Sequence, residues 1–349
     1  TTEIYTLSLH DALPILQETQ PSALALLTGL STYSLDEFMV LDGATRRNLE
    51  LTETLRSGEV QGSLLSVLDY TVTPMGKRLI RQWVSKPLLD LEHIQQRQEG
   101  VSALLEAGML RAEMRAALKP LADLERLTNR ILSAHAGPRD LVSLRTTLAD
   151  LPNIIRLLEP APQCLQNLAK QIHTCANELS LLEAAISDDP PATLANTGII
   201  RPGYSAELDN IIDSSHHARE WISNLEEVER KRTGIKTLKV GYNKVFGYFI
   251  EISRGAADQA PAEYIRKQTL VNAERFITPE MKEYETLVLN AEDSIRDIEN
   301  RLFKDICRQI AASSKMLLES AHSLAALDTL ASLAEAAALG GYTRPELGD

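Results

Sequence analysis

Two long helical patterns flank a short strand-like segment, and this arrangement constrains the fold more than any other feature of the chain. Apolar or small residues recur at three- and four-residue steps at Leu208, Ile211, Ser215, Ala218, Ile222, Leu225 and Val228 before the segment, and at Tyr284, Val288, Ala291, Ile295, Ile298, Leu302, Ile306, Ile310, Ser313, Leu317, Ala321 and Leu324 after it. This spacing predicts two long helices, each with one apolar face. We expect them to pack antiparallel, with the intervening segment at their shared end.

The intervening segment has the alternation of a β-strand. Phe246, Tyr248, Ile250 and Ile252 alternate with Gly247, Phe249, Glu251 and Ser253, which is a period of two. Tight turns are predicted at Asn243-Lys244 and at Asn272-Ala-Glu-Arg275, because asparagine favours turns. The predicted fold class is therefore mainly α, a helical core with two long antiparallel helices and a small inserted antiparallel β-rich subdomain.

Positive charge is concentrated in this β-rich segment. From Lys231 to Lys282 the chain has ten Lys or Arg against five Asp or Glu, a local balance of +5 in a chain of net charge −12, so the remainder carries −17. Segregated positive charge on an acidic protein indicates a polyanionic partner. Point charges and amide donors at turns suit phosphate groups better than base edges.

The remaining sequence predicts helices and no catalytic site. Proline residues punctuate a series of helical patterns between about 34 and 170, and Trp83 and Trp221 lie on apolar stripes, where we expect core residues. Residues 1–15 lack periodicity and are expected to be a non-native or disordered leader. No uninterrupted apolar run approaches the roughly 20 residues of a membrane span.

Several chemistries are disfavoured by the motifs. Gly76-Lys77 lacks the spacing of a phosphate-binding loop, so no nucleotide hydrolysis and no cofactor are expected of this sequence. Three widely spaced cysteines, at 164, 175 and 307, predict neither a disulfide framework nor a zinc site and fit a reducing cytoplasm. Helix surface, rather than metal binding, is expected for the adjacent His216 and His217. Two classes stay open: a nucleic-acid-binding module, and a helical scaffold that presents its β tip to an acidic protein partner.

Long strings of this sequence resemble the MutS family of DNA mismatch-recognition proteins. They are LDGATRRNLELTETLRSG (41–58), GSLLSVLDYTVTPMGKRLIRQWVSKPL (62–88), DLERLTNRI (123–131), LKVGYNKVFGYFIEIS (238–253) and RKQTLVNAERFITPEMKEYE (266–285). The resemblance implies a helical core with the first lever helix at 16–230, a DNA clamp inserted at 231–280, and the return lever helix with the end of the core at 281–349. It also implies that the mismatch-reading and ATPase segments of such a protein lie outside this sequence.

The resemblance carries further expectations about partners. It implies contact with double-stranded DNA, a homodimer of the full-length protein with ATP and Mg²⁺ in its ATPase segment, a MutL-like repair partner, no membrane, and a bacterial cytoplasmic location at the nucleoid. The candidate DNA-binding residues are Asn243, Lys244, Arg254, Arg266, Lys267, Asn272 and Arg275. Asn272 has an alternative role, in which its amide satisfies only its own turn.

Overall fold

A computed structural model describes residues 38–243 and 247–347 of the chain. The predicted leader at 1–15 and the candidate residue Lys244 lie outside these ranges. The described part is mainly helical with one four-stranded antiparallel sheet, which confirms the predicted fold class. The helices, in chain order, are α1 Gly43–Asn48, α2 Leu64–Leu68, α3 Pro74–Ser85, α4 Leu91–Glu106, α5 Gly108–Leu118, α6 Leu124–Leu132, α7 Pro138–Leu158, α8 Gln163–Ala169, α9 Ala176–Ala185, α10 Ala206–Thr233, α11 Pro279–Ala312 and α12 Ser314–Gly340.

The chain divides into two compact units. Among the described residues, the first unit joins 38–188 to 305–347, and the second contains 189–243 and 247–304. The division falls inside α11, which continues from one unit into the other. The predicted domain boundaries were drawn from motifs and stay a prediction.

Helix α12 is the central element of the first unit. It packs against α3, α4 and α6, and most of its side chains are buried. Its length and mean hydropathy of 1.2 would allow a membrane span, but 67% of that apolar window is buried inside the protein. Such burial is typical of a core helix. The predicted continuous return helix is wrong at Ser313, where the chain leaves helical geometry between α11 and α12.

The start of α3 is fixed by a buried carboxylate of α12. The Thr73 hydroxyl accepts a hydrogen bond from Gly76 N at 2.9 Å, and Pro74 occupies the first turn. Asp328 accepts from Thr73 N at 2.8 Å and from the Thr73 hydroxyl at 2.6 Å. Burial raises the pKa of Asp328, against the opposing effect of these hydrogen bonds. A Cβ on Gly76 would lie 2.2 Å from Asp328 Oδ2, so only glycine fits this approach.

The second unit contains an antiparallel pair formed by α10 and the first part of α11. The rings of Trp221 and Tyr284 stack at 4.3 Å, and Arg219 pairs with Glu292 at 2.9 Å. Further along, Arg301 pairs with Glu207. Residue numbers rise on α10 as they fall on α11, which confirms the predicted antiparallel packing. Trp83 and Trp221, expected as core residues, are both half-buried, and Trp221 packs against the buried apolar cluster of the sheet.

A buried carboxylate also fixes the chain that leads into α10. Glu299 of α11 accepts hydrogen bonds from the backbone N–H groups of Gly198, Ile199 and Ile200 at 2.9–3.1 Å. Its side chain is buried together with two of these donors. Three consecutive backbone donors therefore share one acceptor on the neighbouring helix.

The sheet has the strand order β1-β2-β4-β3, with β1 at Lys239–Asn243, β2 at Gly247–Ser253, β3 at Ile265–Thr269 and β4 at Ala273–Ile277. Ile250, Ile252 and Phe276 point from its inner face into a cluster with Leu225 of α10 and Leu238. A 3₁₀-helix, Arg254–Gln259, follows β2.

The predicted turn at residues 272–275 is wrong, because Ala273 and Arg275 are part of β4 and the turn is at Leu270–Asn272.

Candidate nucleic-acid interface

The turn between β3 and β4 brings two of the predicted site residues together. Leu270 N donates to Ala273 O at 2.8 Å and closes the hairpin, while Arg254 N donates to Asn272 O at 3.1 Å. Arg254 and Asn272 are both exposed. Neither side chain has a hydrogen bond or ion pair within the part of the chain that the structure describes. The alternative role of Asn272 as a cap of its own turn therefore finds no contact in its support.

Two further exposed lysines lie at the same end of the sheet. Lys239 is opposite Glu251 in the β1–β2 register. Lys236 is next to Thr237, whose hydroxyl accepts a hydrogen bond from the Ser253 hydroxyl at 3.0 Å. Among the described residues neither Lys236 nor Lys239 has an ion pair. We refer to Lys236, Lys239, Arg254 and Asn272 together as the cationic end of the sheet. Neither lysine was among the predicted site residues, since their only signal was their position just before the first strand and at its start.

The guanidinium of Arg275 contacts other residues of the sheet. Its Nε donates to Glu251 Oε2 at 2.9 Å, one terminal nitrogen donates to Gln268 Oε1 at 3.2 Å, and the guanidinium lies 4.1 Å from the centre of the Phe249 ring. The register places Lys239, Glu251, Arg275 and Gln268 in one row across all four strands.

Arg266 is also paired internally. Its Nε lies 2.9 Å from Oε2 of Glu274, whose side chain is only 9% exposed. Buried carboxylates are retained when a cation neutralises them. The positive charge of Arg266 thus compensates an acidic group of the sheet itself.

The other predicted residues lie away from the cationic end. Lys267 is exposed at an irregularity of register between Arg266 and Gln268, where β3 carries one extra residue. Asn243 ends β1 opposite Gly247, at the far end of β2. At roughly 3.3 Å per residue, the seven residues of β2 separate the two ends by about 20 Å.

Three glutamates of the long helices hold the sheet. Glu226 accepts from Val240 N at 2.9 Å, and Glu285 accepts from Tyr248 N at 3.1 Å. Glu229 accepts from the Tyr264 hydroxyl at 2.6 Å, and burial together with this carboxylate raises the pKa of Tyr264. The predicted apolar position Val228 is 55% exposed, and the adjacent Glu229 is buried in its place.

The described residues contain no group of three His, Cys, Asp or Glu side chains close enough to hold a metal ion. His216 and His217 are both exposed on α10, and all three cysteines are free thiols. The cationic end offers charge and hydrogen-bond donors on a small rigid sheet. It is suited to holding an anionic chain in place.

Fold and site together define a helical scaffold protein with a small basic sheet inserted between two antiparallel helices. The family model described as MutS domain III matches residues 44–334, and the chain belongs to the MutS family.

Similar proteins come from several bacteria. The chain is 45% identical to a DNA mismatch repair protein MutS of Pelotomaculum thermopropionicum over 96% of its own length and 39% of that protein. It is 44% identical to the protein of the same name from Symbiobacterium thermophilum, over 98% of this chain and 39% of the relative. The chain thus spans about two fifths of the length of these relatives.

Proposed function

We propose that this chain holds duplex DNA by its phosphate backbone, through the inserted sheet, as part of a longer mismatch-repair protein. The observation that carries the proposal is the cationic end, where three cations and one amide find no ion pair or side-chain hydrogen bond among the described residues, on an otherwise acidic protein. Phosphate contacts of this kind give affinity and orientation without reading sequence. We expect binding that is weak and indifferent to a mismatch.

The proposal extends to the longer protein through its MutS relatives. In that protein two copies would close around DNA, an ATPase segment with ATP and Mg²⁺ would drive the cycle, and a MutL-like partner would receive the signal. This chain would contribute no hydrolysis itself, and the protein would work at the bacterial nucleoid in the cytoplasm, without a membrane.

A titration with duplex DNA at several salt concentrations tests DNA contact. If Lys236, Lys239 and Arg254 each neutralise one phosphate, the slope of log affinity on log salt should be about −2.7. Replacing all three by Ala should flatten the slope for every duplex sequence. The matched control replaces the exposed Lys119, Lys304 and Lys315, which removes the same charge elsewhere and should leave most of the slope. An unchanged slope in the first variant would contradict the proposal.

We further propose that α10 and α11 couple the sheet to the rest of the protein. The support is the set of carboxylate contacts from Glu226, Glu229 and Glu285, because each joins a helix directly to a strand or to the residue before one. Such contacts make the sheet follow its helices. Tyr264→Phe removes one contact, and hydrogen exchange in β3 should then become faster while exchange in α3 does not change.

A second candidate function rests on exposed apolar residues of the same subdomain. Val271 at the β3–β4 turn is 83% exposed, Ile265 is 52% exposed and Tyr242 is 51% exposed. Apolar groups beside positive charge would suit an acidic protein partner. Competition separates the two functions, because excess heparin should displace DNA from the cationic end but should leave a partner held by apolar contacts.

A further inference from the structure

The first unit contains an open cavity of about 690 Å³, remote in sequence from the inserted sheet. Its walls come from α3, α4, α8 and α12, and include Trp83, Arg97, Cys164 and Leu330. We call it the α4–α8 groove. Its volume falls within the roughly 300–1,000 Å³ of typical small-molecule sites.

Arg97 is a half-buried cation in this groove, which the carboxylates of Asp90 and Glu99 also line. Its guanidinium carbon lies 3.7 Å from the centre of the Trp83 ring. No carboxylate pairs with it among residues 38–243 and 247–347, although Arg111 and Arg145, each 14% exposed, pair with Glu335 and Asp188. Burial lowers the pKa of Arg97 to about 10, so the side chain remains charged at neutral pH.

The surroundings of Arg97 add hydrogen-bond donors. The side-chain oxygen of Asn167 accepts a hydrogen bond from Gln163 Nε2 at 2.8 Å. The side-chain oxygen of Gln171 accepts one from the Ser323 hydroxyl at 3.1 Å. The amide N–H groups of Asn167 and Gln171 keep their hydrogen-bonding capacity, since no partner for them lies in the described part of the chain.

The charge and shape of the groove limit what it can accept. Asp90 accepts from His93 N at 2.9 Å and lies 3.1 Å from His93 Nδ1, so it is held at the start of α4. Glu99 adds a second negative charge, which disfavours a polyanion such as DNA. Leu88, Leu168 and Ala326 supply apolar wall. One anionic group on an apolar body fits these surroundings.

We propose that the α4–α8 groove binds a small organic anion, with Arg97 holding its carboxylate or phosphate and the apolar wall holding its body. A guanidinium presents parallel donors that match either oxyanion in a bidentate pair. The ligand would neutralise a cation that no carboxylate of the described residues pairs with. This site is independent of DNA contact by the sheet, so failure of either proposal leaves the other intact.

Fluorescence of Trp83 provides a direct test. The chain has two tryptophans, so Trp221→Phe leaves Trp83 as the single reporter. Benzoate and phenyl phosphate are the probes, and benzyl alcohol is the neutral control of similar shape. We expect a saturable change with benzoate, with phenyl phosphate or with both, and the responding probe identifies the anionic group. An equal response to benzyl alcohol, or none to either anion, would overturn the proposal.

Substitutions of Arg97 complete the test. Arg97→Met keeps an unbranched stem against Trp83 and removes the charge, and should weaken anion binding about tenfold or more, because hydrogen bonds between charged groups are lost. Arg126→Met is the matched control, since it removes one exposed charge outside the groove. Arg97→Lys retains the charge and should bind the anion more tightly than Arg97→Met. Such a difference would show that the loss in Arg97→Met comes from the missing charge and not from misfolding. Equal affinity in wild type and Arg97→Met would reject the site.

Discussion

At the scale of single residues, Arg275 shows how a cation in a basic segment can serve the fold. The sequence analysis made it a candidate for phosphate, whereas its guanidinium contacts Glu251, Gln268 and the Phe249 ring. Arg275→Ala should therefore lower the free energy of unfolding by about 1–3 kcal/mol, through lost charged hydrogen bonds and a lost cation–π contact. Urea denaturation followed by circular dichroism measures this.

The control for Arg275 is Lys267, which belongs to the same sheet and has no ion pair among the described residues. Lys267→Ala should change the free energy of unfolding by less than about 0.5 kcal/mol, as is usual for exposed positions. If both variants unfold alike, the internal role of Arg275 is refuted.

Asn272 is the opposite case. It is exposed at the cationic end, and its backbone oxygen accepts from Arg254 N, while its side chain has no hydrogen bond to any described residue. We expect Asn272→Ala to weaken duplex binding while the melting temperature stays unchanged, because no hydrogen bond within residues 38–243 and 247–347 depends on the amide. A lower melting temperature with unchanged affinity would assign the residue to its turn alone.

At the scale of elements, Glu299 makes the connection before α10 depend on α11. Glu299→Ala would leave Gly198, Ile199 and Ile200 without their shared acceptor. Unsatisfied buried donors each cost about 1–3 kcal/mol, so the two buried donors, Ile199 N and Ile200 N, should together cost the second unit about 2–6 kcal/mol. Hydrogen exchange at residues 198–200 reports this directly. Glu292→Ala, which removes only an exposed ion pair, should have little effect.

Periodicity predicted the long helices but not their ends or their polar contacts. The stripe on α10 extended to Val228, and the structure buries Glu229 because Tyr264 and Arg232 satisfy its carboxylate. Asn272-Ala-Glu-Arg275 has turn-forming composition, yet Glu274 and Phe276 point inward and continue the alternation of a strand. Local composition could not reveal either case, because both depend on partners distant in sequence.

The candidate site was predictable as a region rather than as a set of residues. Charge segregation identified the segment from Lys231 to Lys282, and two of the residues predicted there, Arg254 and Asn272, lie together at one exposed end of the sheet. Strand register decides which cations are left to bind a phosphate, because Glu251 forms an ion pair with Arg275 and Glu274 forms one with Arg266. Register becomes visible only once the strands are paired.

At the scale of the whole molecule, the two compact units should respond separately to damage in their cores. Ile250 is fully buried in the sheet cluster of the second unit. We expect Ile250→Ala to destabilise that unit by about 2–5 kcal/mol, the usual cost of a cavity, and to leave the first unit nearly unchanged. Hydrogen exchange resolved along the sequence measures both units in one experiment.

Leu144→Ala, a buried position in α7, supplies the reciprocal variant. It should increase exchange in the first unit and spare the sheet. Uniform acceleration throughout the chain in both variants would show a single cooperative unit instead.

The edge strand β3 has a consequence for how copies of this protein meet. It is five residues long, carries Arg266 and Lys267, and loses regular pairing geometry at its extra residue. Short, charged and bulged edges discourage the backbone of another chain from extending the sheet. If the sheet holds DNA as proposed, neighbouring copies crowded on one duplex would therefore not join through β3 into a shared sheet. Such crowded molecules could separate again, instead of accumulating as aggregates along the DNA.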